Sequence, residues 1–221
     1  MNELVPARAR PTEHCGAIRH VRVKRVLPDA LRAPLAGRNH TQHKNQIRLY
    51  VGEVVASQLP VVLDTLLGSC VAVCLYDPVL RAGGMNHILL PNCRAGEKSA
   101  RCGVHAMELL INELMKLGGD RRRFIAKAFG GANVLQGLRL PPVGDKNAEF
   151  VREFLATERM PLVAERLGGN HAVHVYFRTD TSKATVQTVD GSRLPNIIDA
   201  EQSYGDTDST DEFIFGETTL F

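Results

Sequence analysis

The sequence predicts a protein of mixed β-sheets and helices, of the α/β or α+β class. Three observations point there. Short apolar runs of strand length recur between Gly and Pro punctuation. Two longer stretches carry apolar residues at helical spacing. Strands and helices interleave along residues 46–198, with no internal repeat and no linker to a second domain.

Taken in order, residues 47–56 alternate as a strand does, with Leu49, Val51 and Val55 on one face. Residues 71–76 form a β-branched apolar run stopped by Asp77-Pro78. Gly83-Gly84 opens another run, over 85–90, that Pro91 stops. Together these read as two strands joined by a turn over 77–83. Residues 104–117 give the strongest helix. Met107, Leu110, Ile111, Leu114 and Met115 share one face, and Gly118-Gly119 supplies the C-terminal stop. Residues 124–129 predict a strand closing on Gly130-Gly131. Residues 147–158 predict a second amphipathic helix, with Phe150, Val151, Phe154 and Leu155 on its apolar face. Residues 161–167 read as a strand ended by Gly168-Gly169, and 173–178 with 184–189 as a closing pair.

The chain has 221 residues, 44% hydrophobic and 23% charged, enough for one sizeable core. There is no Trp and aromatics make up 5%, which argues against a base-stacking RNA surface or an aromatic sugar platform. Five Cys is an odd number that excludes a complete disulfide framework, and the thiols read as reduced, in a cytoplasmic protein. The formal net charge of +3 gives no sign of a nucleic-acid partner, but it hides a split. Residues 1–48 carry +7 and residues 199–221 carry −7. Residues 1–45, with Pro6, Pro11, Pro28 and Pro34 and no sustained periodicity, read as a basic, disordered arm. That arm fits a plain solvated tail, or a contact for an acidic partner or a membrane surface. Residues 46–198 read as a single domain, and 199–221 as an acidic, flexible tail. The tail ends in Phe213-Ile214-Phe215 and Leu220-Phe221, which have either the core or a partner to dock on. No secretory signal is expected, since Glu3, Arg8, Arg10 and Glu13 interrupt the start of the chain. No membrane insertion is expected either: the most apolar window, residues 60–76, carries Asp64 and is broken by Gly68-Ser69.

Covalent hydrolysis of an amide or ester needs a nucleophile reactive near neutral pH, and a cysteine beside an imidazole meets that need. Leu67-Gly68-Ser69-Cys70-Val71 places Cys70 at the mouth of a predicted strand, after a glycine that permits a tight turn. His87, in Gly83-Gly84-Met85-Asn86-His87, falls on the neighbouring predicted strand, where the two side chains can meet. A hydrogen-bonded core histidine and a buried structural cysteine fit the same spacing, which leaves both readings open. Cys74 reads as core. Cys93 and Cys102, with His105 nearby, form no paired C-x-x-C knuckles with Cys70 and Cys74, which argues against zinc. Gly130-Gly131-Ala132-Asn133 lacks the G-x-G-x-x-G pattern and the P-loop Lys, and reads as a structural turn rather than a phosphate cradle.

Several stretches, in order, closely resemble one family, the chemoreceptor glutamine deamidases known as CheD. They run from Thr65 through Leu-Leu-Gly-Ser-Cys70 to Asp77, and from Gly83-Gly84-Met85-Asn86-His87 to Pro91. Ala106 to Leu114, Lys127 to Asn133, Asn147 to Glu153 and Val163 to Gly169 continue the match, so that it covers about residues 46–190. The resemblance implies hydrolysis of receptor glutamine carboxamides to glutamate, a protein-glutamine glutaminase activity. It implies Cys70 as nucleophile, His87 as base and Thr65 as the third member of the triad; in the mechanism expected from these residues, His87 takes or holds the Cys70 proton, giving a thiolate–imidazolium pair. It also implies a sandwich of mixed β-sheets flanked by helices, similar to cysteine hydrolases and bacterial toxin deamidases, with no cofactor. Chemoreceptors are the implied partners, with a CheC-type phosphatase as a further one. Two rival readings go with it: a non-catalytic regulator that binds receptor or phosphatase, and a receptor glutamate methylesterase.

Overall fold

The computed structural model describes residues 23–26, 45–89, 102–134, 143–189 and 215–221. A six-stranded sheet comprises β1 (Val23–Val26), β3 (Val54–Ser57), β5 (Val71–Asp77), β6 (Ala82–Asn86), β7 (Ile125–Gly130) and β8 (Leu162–Leu167), in the order β1-β3-β6-β5-β7-β8. A five-stranded sheet comprises β2 (Gln46–Arg48), β4 (Val62–Leu67), β9 (Val173–Arg178), β10 (Ala184–Val189) and β11 (Phe215–Leu220), in the order β11-β10-β9-β4-β2. Both sheets are mixed: β1/β3, β7/β8 and β2/β4 pair parallel, and the other pairs are antiparallel.

Helices α1 (Gly103–Lys116) and α2 (Val143–Thr157) cover one face of the six-stranded sheet. Met107, Leu110, Ile111, Leu114, Val151 and Leu155 pack there on Val54, Val71, Val73 and Leu75. The opposite face, through Ala72, Cys74, Met85 and Phe129, meets Leu63, Leu67, Val175 and Phe177 of the second sheet. The result is an α/β fold of three layers: helices, sheet, sheet. β5 is buried on both faces along its whole length. That burial is why its sequence reads as an unbroken apolar run rather than an alternating one. On β6, a Cβ at Gly84 would lie 2.6 Å from the Val55 carbonyl oxygen and 2.7 Å from Leu110. Glycine there lets α1 seat directly on the sheet.

Several elements differ from the sequence reading. The single strand expected over 47–56 is two strands in different sheets. Between them the Glu53 N–H donates to the Tyr50 carbonyl at 3.0 Å, and Gly52 takes a positive φ of 78°. The apolar window 60–76 likewise divides at Gly68-Ser69 into β4 and β5, one in each sheet. The strand expected over 85–90 ends at Asn86, whose Oδ1 accepts the Val73 N–H at 2.9 Å. Beyond it the pairing continues as a bridge between Val71 and Ile88. Helix α2 begins four residues before the expected start at 147. Met115, expected on the apolar face of α1, is 46% exposed.

Strand β1 falls within the arm expected to be disordered, and β11 within the tail expected to be flexible. Each covers a sheet edge whose backbone groups need partners. The tail's last residue docks on the core, with the Phe221 ring 5.5 Å from that of Phe129. Residues 1–22, 27–44 and 190–214, on which the rest of both expectations falls, lie outside the described residues. Cys102, expected as a reduced thiol, is disulfide-bonded, whereas Cys70 and Cys74 are buried and form no disulfide. No helix among the described residues is long and apolar enough to cross a membrane.

Candidate active site

The loop Gly68-Ser69 leaves β4 in one sheet and delivers Cys70 to the start of β5 in the other. Its shape is held from the far side by the glycine turn after β7. The Gly131 N–H donates to the Cys70 carbonyl at 2.7 Å, and the Ala132 N–H to the Gly68 carbonyl at 2.9 Å. Gly130 and Gly131 have φ of 102° and 69°, a conformation that glycine alone adopts without strain. A Cβ on Gly130 would collide with the Cys70 carbonyl oxygen. This turn, expected to be structural, is therefore the buttress of the Cys70 loop.

Val71 and Ile88 exchange both backbone hydrogen bonds. This register sets Cys70 opposite Leu89 and His87 opposite Ala72. Cys70 and His87 are thus diagonal neighbours on one face, on the order of 7 Å apart along the sheet. That face looks toward the second sheet. There Thr65 of β4 projects its hydroxyl to within 2.8 Å of His87 Nδ1. The structure thus brings Thr65 to His87, and sets Cys70 beside them on the same inter-sheet face. All three are buried: Thr65 and Cys70 are 0% exposed and His87 is 3%.

The hydrogen bonds fix the histidine tautomer. A threonine hydroxyl has one proton to give. Thr65 Oγ1 donates it to the Leu49 carbonyl at 2.8 Å. Towards His87 the same oxygen is the acceptor, so the ring proton resides on Nδ1. Nε2 is left as a bare lone pair, buried and without a hydrogen-bond partner. Burial pushes His87 down to about 4, against a partial upward pull from the Leu49 carbonyl. At neutral pH the resting imidazole is neutral. Of the two courses expected, in which His87 takes or holds the Cys70 proton, a site this dry favours the first, because an ion pair held at rest lacks solvation. What the arrangement offers is a base that takes a proton on demand.

The main chain of His87 is clamped as well. Its N–H donates to the Glu53 carbonyl at 3.1 Å, and its carbonyl accepts from the Gly52 N–H at 2.9 Å. The turn that broke the expected strand at 47–56 therefore serves the site twice, through Leu49 on the Thr65 hydroxyl and through residues 52–53 on the His87 backbone. Cys74, two residues along the same face from Ala72, is a different kind of thiol: burial pushes it far up, out of reach of neutral pH. Among the described residues no group of three or more His, Cys, Asp or Glu is gathered as for a metal ion.

The family model for CheD chemotactic sensory transduction matches residues 89–188. A probable chemoreceptor glutamine deamidase CheD of Stenotrophomonas maltophilia is 54% identical over 140 residues, covering 63% of this chain and 68% of that protein. Its counterpart in Xanthomonas campestris pv. campestris is 53% identical over the same length. A probable chemoreceptor glutamine deamidase CheD 1 of Shewanella oneidensis is 43% identical over 189 residues, covering 82% of this chain and 91% of that protein. The chain belongs to the CheD family. Among solved structures, the Bacillus licheniformis hypothetical protein YfiH reaches a TM-score of 0.33 at 16% identity, over 51% of this chain and 49% of that one, a likeness too slight to carry an argument.

The family model itself begins two residues past His87, so Thr65, Cys70 and His87 precede the residues it matches. Two further residues of this CheD-family chain shape the site, and the sequence reading gave neither a role. Asn86 is fully buried, and its Nδ2 donates to the Ala106 carbonyl at 3.3 Å, tying the residue before His87 to α1. Asn147 is also fully buried, and its Nδ2 donates to the carbonyls of Ser69 at 2.9 Å and Leu89 at 3.0 Å. A signal for Asn147 was present in the sequence: it stands four and eight residues before Val151 and Leu155, on their buried face.

Proposed function

We propose that the chain hydrolyses glutamine side-chain carboxamides of chemoreceptors to glutamate, with Cys70 as nucleophile, His87 as general base and acid, and Thr65 as the residue that orients His87. The observation that carries this reading is the directed chain of bonds from Leu49 through Thr65 to His87. It leaves an unprotonated Nε2 without a hydrogen-bond partner on the same sheet face as the reduced thiol of Cys70. The relatives' names supply the substrate class.

His87 Nε2 takes the Cys70 proton as Sγ attacks the carboxamide carbon. The oxyanion is stabilised by backbone N–H groups of the Ser69–Cys70 loop. The intermediate collapses by breaking the C–N bond; His87 returns the proton to nitrogen, and ammonia leaves a thioester. Water, losing a proton to His87, then cleaves the C–S bond, and the thiol is restored. Thr65 plays the part that a carboxylate plays in a serine triad, holding the Nδ1–H tautomer without adding charge. The fold, on this reading, is of the cysteine-hydrolase kind shared with toxin deamidases, and the protein works in the cytoplasm, where receptor signalling domains lie. A CheC-type phosphatase is a further partner to be sought by pull-down. Cys70→Ala is expected to abolish ammonia release from a receptor cytoplasmic fragment while leaving the melting temperature within a few degrees. A folded Cys70→Ala protein that still releases ammonia removes the nucleophile from the account.

A further inference from the structure

One cation in the gap between the sheets takes no part in the proposed mechanism. Arg166 of β8 pairs with Phe129 of β7, which pairs in turn with Ala72 of β5. Paired residues share a face, so Arg166 stands on the same inter-sheet face as Cys70 and His87. A bond across the gap fixes its direction: Nη2 donates to Thr188 Oγ1 of the second sheet at 2.7 Å. Two strand spacings across and two residues along, the Arg166 Cα lies on the order of 12 Å from that of Cys70. Nη1 of the same guanidinium is buried and has no hydrogen-bond partner. A buried donor left unpaired is costly, and a cation drawn from water without a counter-charge more so. Glu165, the adjoining residue, is turned to α2, where it pairs with Arg152. Arg166 is also one wall of a cavity of about 230 Å³, lined by Gly130, Gly168, Gly169, His171 and Val173 among others, with no acidic side chain. The cavity sits where β7 and β8 end and β9 begins, which is the end at which Cys70 enters β5. The glycine turn joins the two places: Gly130 accepts the Gly168 N–H at 2.9 Å, and the Gly131 N–H holds the Cys70 carbonyl. A Cβ at Gly168 or Gly169 would meet nothing within 4 Å, and Gly169 and His171 are exposed, so the cavity opens to solvent.

We infer that this cavity is a subsite for a carboxylate side chain of the receptor segment flanking the target glutamine, with Arg166 as its anchor. This extends the proposed function, on which it rests, to the choice among glutamines. A protein substrate that places one side chain at Cys70 must run on past it, and the cavity stands beside the Cys70 loop at the same end of the sheets. A carboxylate supplies what the cavity lacks: a negative charge, and an acceptor for Nη1 while Nη2 keeps Thr188. A separation on the order of 12 Å corresponds to three or four residues of extended chain, or about eight of helix. Glutamines with an acidic residue at such a spacing are thereby preferred over glutamines without one.

The test starts from a glutamine that the full-length chain hydrolyses in a receptor cytoplasmic fragment. In a second fragment every Asp and Glu within about eight positions of that glutamine is replaced by Ala, and its fold is checked by circular dichroism. Wild type, Arg166→Gln and Arg166→Lys, each checked by melting temperature, are compared on both fragments by the rate at which that glutamine is hydrolysed. On the native fragment Arg166→Gln is expected to lower kcat/KM about tenfold, carried by KM. Arg166→Lys, which keeps the charge but not the fork, is expected to lose less. On the carboxylate-free fragment the gap between the chains is expected to close to within about twofold. The lysine variant makes the same comparison if the glutamine variant does not fold. If the chains are equal on the native fragment, or differ as much on both fragments, the inference is overturned while the proposed function stands. Inorganic phosphate that binds wild type and not Arg166→Gln, with no difference between the chains on the native fragment, assigns the cavity to a free anion and overturns it as well. If the wild-type chain hydrolyses no glutamine at all, the proposed function fails and the inference goes with it.

Discussion

At the scale of single residues, the account turns on one hydroxyl. Thr65 accepts from His87 and donates to Leu49, so it both orients the ring and selects its tautomer. Thr65→Val keeps the shape and removes both bonds. It is expected to lower kcat roughly 10–100-fold, as loss of a histidine's orienting partner does elsewhere. It is also expected to cost about 1–3 kcal/mol in stability, because buried groups lose their partners. Thr65→Ser is expected to restore most of the activity, and steady-state kinetics beside denaturant melts check both. The His87 environment gives a second expectation. Because burial holds the ring down to about 4, the acid limb of kcat/KM falls near pH 4 rather than near the 6.5 of a free histidine. A pH–rate profile breaking near 6.5 would mean that the working base is differently placed.

At the scale of elements, the glycine turn after β7 does structural duty for catalysis. Gly130→Ala adds a Cβ against the Cys70 carbonyl at a positive φ of 102°. It is expected to cost about 2–4 kcal/mol and to slow Cys70 alkylation by iodoacetamide in whatever fraction remains folded. The elements themselves were largely legible. The helices at 104–117 and 147–158 announced themselves by spacing, and β9 and β10 by alternation between turns. Sequence periodicity describes a face, however, not the sheet to which that face belongs. It therefore joined β2 to β3 and concealed β4, since a chain that crosses between sheets at Gly52 or Gly68-Ser69 keeps its apolar character on both sides. Cys70 and His87 were legible as a thiol and an imidazole on adjacent strands. Thr65 was identified through family resemblance alone, because it approaches His87 from the opposite sheet, a contact that no local pattern encodes. Asn147 was missed for a related reason: a polar residue on a helix's buried face signals a partner without saying which.

At the scale of the whole molecule, the site lies where the two sheets meet and both supply residues. Cys70 has no exposed surface, so the proposed mechanism requires neighbouring groups to part before a receptor glutamine reaches its sulfur. Dryness has a thermodynamic consequence. Between about pH 6.5 and about 4 the unfolded chain binds a proton at His87 that the folded protein refuses. Stability is therefore full above that window and falls through it with decreasing pH, by about 3 kcal/mol from this group. Further loss at lower pH belongs to Asp64 and Asp77. Burial works against the charge on each and is outweighed only by several partners together: His174, Arg48 and Gln46 around Asp64, and Arg123 with the backbone N–H groups of Asp120, Leu80 and Val79 around Asp77. Denaturant melts across the window, with His87→Gln as the reference lacking this slope, check the assignment.

The most direct test of the central claim is mass spectrometry of a chemoreceptor cytoplasmic fragment before and after incubation with the full-length protein. Each glutamine hydrolysed through the thioester adds about one dalton. The account predicts that shift at discrete glutamines with the wild-type chain and none with Cys70→Ala. An unchanged receptor mass with the wild-type chain, or an equal shift with Cys70→Ala, would contradict it.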